Sequence, residues 1–269
     1  MRGPDWLDRW PATGWLSTLL PLVGVPVFGW RVPDVLVVYW LELGHLVVLY
    51  PVLALFAARE PRPAERTVRP VRLPVPGLGR TGSLTPVEWL PPVHRRNVPY
   101  AAGLFAWSLG FWLLLSALLV ALPAPEPLVI PPGLDFPRLG DYVAVVAGAV
   151  SGPTVVAGGC LGLGRVVVDG HRFLAGRRHE ALSAPMVAEL PARVLLFWFL
   201  LTPVATFGVP VATLPLADAV GTRTLTVLGV GIVVVSGKLV AESGIHRALS
   251  GRAVDGLARW FVPAEPGAR

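Results

Sequence analysis

Charged side chains are scarce in this chain. Asp, Glu, Lys and Arg together make up 15% of its 269 residues, against about a quarter in a soluble globular domain. That scarcity excludes a string of soluble domains. Cysteine is nearly absent too: Cys160 stands alone, which rules out an internal disulfide and any cysteine-based metal spacing. Its expected place is that of a small buried apolar residue. Lysine is rarer still in proportion, with Lys238 the only one; a basic complement made almost wholly of arginine fits a high-GC prokaryotic genome. The apolar stretch beginning at Trp15 lacks a small-x-small cleavage pattern, so it reads as a membrane span rather than a signal peptide.

What the chain has in abundance is apolar length. Hydrophobic residues account for 54% of it and mean hydropathy is +0.62. Stretches such as 35–57 and 98–122 carry almost no charge over more than the roughly 20 residues a helix needs to cross a bilayer. The expected fold is all-α: one polytopic transmembrane domain, 1–269, with about six helices near 14–30, 35–57, 98–122, 142–164, 194–216 and 224–241. Pro21 and Pro26 interrupt the first of these and make a kinked or re-entrant segment there conceivable.

Charge sets the expected orientation. The Pro/Arg-rich segment 59–97, the segment 165–193 and the tail 245–269 hold most of the arginines. Placing all three in the cytoplasm, with both termini, satisfies the positive-inside rule in a cell-membrane protein. The net charge of +6 and pI near 10.4 then point to anionic lipid at the cytoplasmic face, not to nucleic acid. The 59–97 segment reads as an extended or disordered linker. In the tail, a helix over 249–261 would carry Leu249, Ala253, Leu257, Trp260 and Phe261 on one side, and is expected to lie amphipathically on the cytoplasmic surface. His171 and His179 read as solvated loop residues.

Two sets of residues inside the spans stand out. Gly148 and Gly152, and again Gly158 and Gly162, stand four apart, a spacing that lets a neighbouring helix approach closely; a homo-oligomer or a membrane protein partner would suit such a face. The other set is polar. Tyr39, Glu42 and His45 follow one another at i, i+3 in an apolar helix and form one candidate intramembrane stripe. A carboxylate at such a depth costs roughly 2.5–3.5 kcal/mol on insertion scales and so seeks a partner. The expectation is a hydrogen-bonded, neutral Glu42, held by Tyr39, His45 or the backbone near Pro21 and Pro26. Lys238 is expected to pair with Glu242 one turn on and to reach for the cytoplasmic interface.

The run "LLPLVGVPVFGWRVPDVLVVYWLELG", residues 19–44, resembles the N-terminal signature of a domain-of-unknown-function family of prokaryotic multi-spanning membrane proteins. Pro21 to Gly24, Gly29-Trp30, and Tyr39-Trp40 followed by Glu42 carry the likeness, with a weaker echo in Gly237-Lys238 and Glu242. The resemblance implies the membrane class and points to Glu42, and it brings no chemistry with it.

Three readings of function follow, in order of preference. The first is an accessory or scaffolding membrane protein whose polar residues specify packing. The second is a transporter or channel-like protein using the Glu/His site for an ion, a proton or a small solute. The last is an intramembrane enzyme with Glu42 and His45 as a metal pair, weak because no second such pair exists in the chain. An enzyme is the less favoured class, and neither cofactor nor metal is expected.

Overall fold

A computed structural model describes residues 12–62, 71–76, 81–116, 139–213, 215, 222–249 and 256–262. The helices in chain order are α1 (Ala12–Phe28), α2 (Val32–Phe56), α3 (Val98–Ser116), α4 (Leu139–Ala149), α5 (Gly152–Ala175), α6 (Arg178–Ala181), α7 (Ala184–Pro203), α8 (Val209–Thr213) and α9 (Thr222–Leu249). A two-residue antiparallel pair, β1 (Ser83–Leu84) with β2 (Val93–His94), is the sole sheet among the described residues. By length and composition α2, the helix ending at Ser116, α7 and α9 can each cross a membrane, and the bent pair α4–α5 makes a fifth. The chain is an all-α polytopic membrane protein. α1 is apolar but shorter than these.

α2 occupies the centre because its sequence leaves it no polar face. Sixteen of its residues are buried, and a helix apolar all round is stable only when surrounded. It starts sharply. Gly29 takes φ +66°, a left-handed conformation that suits glycine and ends α1. Pro33 then stands in the first turn, and Asp34 accepts a 2.8 Å hydrogen bond from the Arg31 amide. Against α3 it is locked by a reciprocal pair: the Trp40 and Trp112 rings stack at 4.3 Å, and each indole N–H donates to the other residue's carbonyl, at 2.9 and 2.7 Å.

The glycine stripe is broken rather than continuous. α4 and α5 meet at an 87° bend where Ser151 caps α5, its hydroxyl accepting from the Thr154 amide. Gly148 and Gly152 lie on either side of that bend, and a side chain at either would meet nothing within 4 Å among the described residues. The Ser-Gly-Pro sequence at 151–153, read as part of a span at 142–164, is instead a helix start. Gly158 and Gly162 do face α2. A Cβ at Gly158 would stand 2.6 Å from Leu41 Cβ, whereas one at Gly162 would sit at an ordinary 3.7 Å from the Glu42 Cα. Gly158→Ala is therefore expected to destabilise the protein by roughly 1–3 kcal/mol through overpacking, and Gly162→Ala by much less. Thermal unfolding of the two variants in detergent checks the contrast. Cys160, between them, is exposed on the outer side of α5, not buried as its residue type suggested.

The segments expected to be loops are shorter and better fixed than their composition implied. α5 runs to Ala175 and α7 begins at Ala184, so residues 176–183, and not 165–193, make the connection. In the 59–97 segment residues 81–89 are exposed, but both 71–73 and 96–97 are tied back to the bundle. Asn97 donates to the Ala57 and Leu55 carbonyls at 2.7 and 3.4 Å, and Arg96 donates to that of Ala58. Those are the carbonyls a helix C-terminus leaves without intrahelical donors. Leu73 donates to Pro99 at 3.0 Å, and the Arg72 guanidinium lies 4.8 Å from the centre of the Tyr100 ring.

The tail also departs from expectation. Residues 250–255 lie outside the described residues, and Gly256–Phe261 form a 3-10 turn. Trp260 is exposed, but Phe261 is fully buried, 6.0 Å from the Phe197 ring and against Gly244. Arg193 donates to the Trp260 and Val262 carbonyls at 2.5 and 2.6 Å. Phe261 is thus an anchor in the bundle and not half of a lipid-facing stripe. Phe261→Ala is expected to cost about 3–5 kcal/mol and to expose the tail to limited proteolysis, while Trp260→Ala leaves both nearly unchanged.

Candidate functional site

Glu42 faces inward on α2, at 1% exposure, and the groups around it come from three other helices. Arg165 on α5 reaches Glu42 Oε1 at 3.2 Å through Nε. Lys238 on α9 reaches Glu42 Oε2 at 2.8 Å. One turn further along α9, Glu242 accepts an ion pair from the other end of the Arg165 fork and stands 3.6 Å from Lys238. The same Arg165 nitrogen donates to the Ser17 hydroxyl of α1 at 3.0 Å. The result is a four-charge cluster, Glu42–Arg165–Glu242–Lys238, in which each carboxylate meets both cations; Glu42, Arg165 and Lys238 are buried and Glu242 is partly exposed. Arginine suits the bridging place because its planar fork serves several acceptors at once.

The candidate polar stripe is only partly what its spacing suggested. Tyr39 does not hold Glu42. Its hydroxyl donates to the Thr18 carbonyl at 2.5 Å, in the turn before Pro21 and Pro26, while its ring lies 5.1 Å beneath the Lys238 ammonium, a cation–π arrangement. His45 does not touch the Glu42 carboxylate either. Its Nδ1 donates to the Glu42 backbone carbonyl at 2.6 Å, and Nε2 points at Asp169 Oδ2 on α5, 3.7 Å away. With Nδ1–H committed to the carbonyl, any proton on Nε2 lies between the ring and a carboxylate. Beyond Asp169, Tyr50 and Arg178 stand within range of its charge.

Glu42 is thus ion-paired where a neutral, hydrogen-bonded acid was expected. Lys238 pairs with Glu42 as well as with Glu242, instead of pairing with Glu242 alone and reaching for the cytoplasmic interface. In the fold Val32, the first residue of α2, lies against Gly231, nine residues into α9, so α9 starts some 13 Å further out and Lys238 comes to the height of Glu42. Arg165 and Asp169 had been assigned to a cytoplasmic loop by their charge. Their i, i+4 spacing in the Gly-rich run after Ser151 was the available signal that the helix continues through them. Ser17 left no signal in the sequence.

The close approach of α2 and α5 that brings these groups together is set by Gly158 and Gly162. Exposure grades along the assembly: the Glu42 side chain is 2% exposed, His45 9% and Asp169 15%. A row of ionisable groups therefore runs from mid-bundle toward the end where Arg172, Arg177 and Arg178 lie. Among the described residues no three His, Cys, Asp or Glu side chains stand together as a metal site, and the Glu42 and His45 side chains aim at different partners.

No curated protein and no solved structure matches this chain. A family model does, over residues 9–250, a stretch that contains every member of the buried cluster. The chain belongs to the family of unknown function DUF6498.

Proposed function

We propose that this is a multi-spanning cell-membrane protein of transporter or channel-like type, in which the Glu42 cluster and the His45–Asp169 pair bind and pass a proton or small cation. The observation that supports this reading is the graded row of ionisable groups, buried at Glu42 and opening toward Asp169. Buried ion pairs are rarely a cheaper way to join helices than apolar packing, and ionisable groups inside a membrane commonly mark pathways. α1 completes a six-span bundle in this scheme, short for a full crossing but seated against the cluster through Ser17 and Thr18. The row opens to the cytoplasm, where Arg59, Arg62, Arg95, Arg96, Arg172, Arg177 and Arg178 gather and both termini reside.

The accessory reading draws on a separate observation: both Glu42 oxygens are already taken by cations, as in a static lock. Proton flux separates the two. Purified protein in liposomes loaded with a pH-sensitive dye, under a potassium-valinomycin potential, is expected to admit protons, and His45→Gln is expected to reduce that flux at least tenfold with thermal stability nearly kept. Flux equal to that of empty liposomes for the unaltered protein, in both orientations of the potential, counts for the scaffold.

A further inference from the structure

Five buried side-chain atoms among the described residues have no hydrogen-bond partner: His94 Nε2, Arg96 Nε, Asn97 Oδ1, His179 Nδ1 and Ser183 Oγ. They are not scattered. Arg96 donates to the carbonyl of Ala58, whose amide donates to the carbonyl of His179 at 2.7 Å. Ser183 bridges to Arg59, and Asn97 donates to the carbonyl of Ala57. His94 lies two residues before Arg96 and close enough to feel its charge. All five residues therefore belong to segments packed at the C-terminal end of α2. Ser183 and Asn97 are 2% and 0% exposed, and a buried polar atom left unpaired costs free energy that a ligand can recover.

We propose that the end of α2 is a binding site for a phosphate monoester or inorganic phosphate. The guanidinium N–H of Arg96 and the hydroxyl of Ser183 are donors, and each imidazole donates through the nitrogen that carries its proton. Asn97 commits its amide N–H to helix carbonyls, so its free oxygen requires a donor, which a P–OH supplies. The surrounding segments 57–62, 93–97 and 177–183 hold six arginines, Arg59, Arg62, Arg95, Arg96, Arg177 and Arg178, against Glu60 and Glu180, so the local field favours an anion. Burial and Arg96 lower the proton affinity of His94, and a bound anion raises it again. The chemistry is common to a free phosphate and to the headgroup of a phosphomonoester lipid at the membrane surface.

Thermal unfolding of the full-length protein in a neutral maltoside detergent tests this, with two matched pairs of additions at equal ionic strength: sodium phosphate against sodium chloride, and a short-chain phosphatidic acid against the equivalent phosphatidylcholine. The expected result is a dose-dependent rise in melting temperature with phosphatidic acid or phosphate and none with chloride or phosphatidylcholine. A response to both assigns the phosphate group alone; a response to the lipid alone assigns the headgroup. Arg96 also caps α2, so the variants are Ser183→Ala and His94→Gln, each expected to melt like the parent without ligand and to weaken binding about tenfold or more. No rise with either phosphate compound, or a rise undiminished in both variants, overturns the site and leaves the five atoms to buried water.

Discussion

Glu42→Gln is expected to cost the folded protein about 3–5 kcal/mol, because it removes one partner of a buried ion-pair cluster and leaves two cations facing a neutral amide. For a chain of this size that corresponds to a fall in melting temperature on the order of 10 °C, read by intrinsic fluorescence in detergent. Had Glu42 been a neutral acid bonded to Tyr39, the amide would have replaced it at little cost. With Arg165 at 3.2 Å and Lys238 at 2.8 Å, the negative charge itself is what the surroundings require. A Glu42→Gln protein that melts with the parent would mean that these cations are not Glu42's partners.

Arg165 is expected to be harder still to replace. Among the described residues it alone touches Glu42, Glu242 and Ser17 together, and so joins α1, α2, α5 and α9. Lysine keeps the charge but offers a point donor on a flexible stem instead of a fork. Arg165→Lys is therefore expected to lose at least one carboxylate contact and the Ser17 bond, at about 2–3 kcal/mol for hydrogen bonds to charged groups. Arg165→Met leaves two carboxylates sharing Lys238 alone, and is expected to fail to accumulate in the membrane. Yield after detergent extraction, with the monodisperse fraction by size exclusion, ranks the three proteins. An Arg165→Met variant that extracts like the parent would mean that the bundle does not depend on the bridge.

The helical fold was largely legible in apolar length, and its errors share one physical cause. Helices at 35–57 and 14–30 in the sequence became Val32–Phe56 and Ala12–Phe28, with every end within three residues. The helix expected at 194–216 instead begins at Ala184, because Arg193 had been counted with the basic segment 165–193. Pro191 is accommodated within the helix, and Arg193 is paired with Glu189 and the tail carbonyls. The helix expected to stop at 241 continues to Leu249, past Glu242, for the same reason. A side-chain charge ends a hydropathy window but not a helix, provided that its partner waits on another helix.

That cause also explains which half of the site could be read. Glu42 stands out because it is alone in an apolar run, and Lys238 because it is the only lysine. Their pairing across 196 residues depends on the nine-residue offset between α2 and α9, which no local pattern records. Arg165 and Asp169 were hidden by company: with Arg172, Arg177 and Arg178 following, they looked like the start of a basic loop. The α4–α5 bend was legible in Ser151-Gly152-Pro153, a helix-start sequence that the glycine spacing across it masked.

The cluster is tested most directly by exchanging the charges of its closest pair. Glu42→Lys and Lys238→Glu each place like charges in contact in a buried site, and each alone is expected to abolish accumulation of folded protein. Together they restore an opposite-charge pair, though Arg165 and Glu242 then face altered neighbours. The account predicts that the double variant accumulates at least tenfold better than either single variant. If the double variant does no better than the worse single one, with the loss simply additive, Glu42 and Lys238 are not partners and the buried cluster does not exist as described.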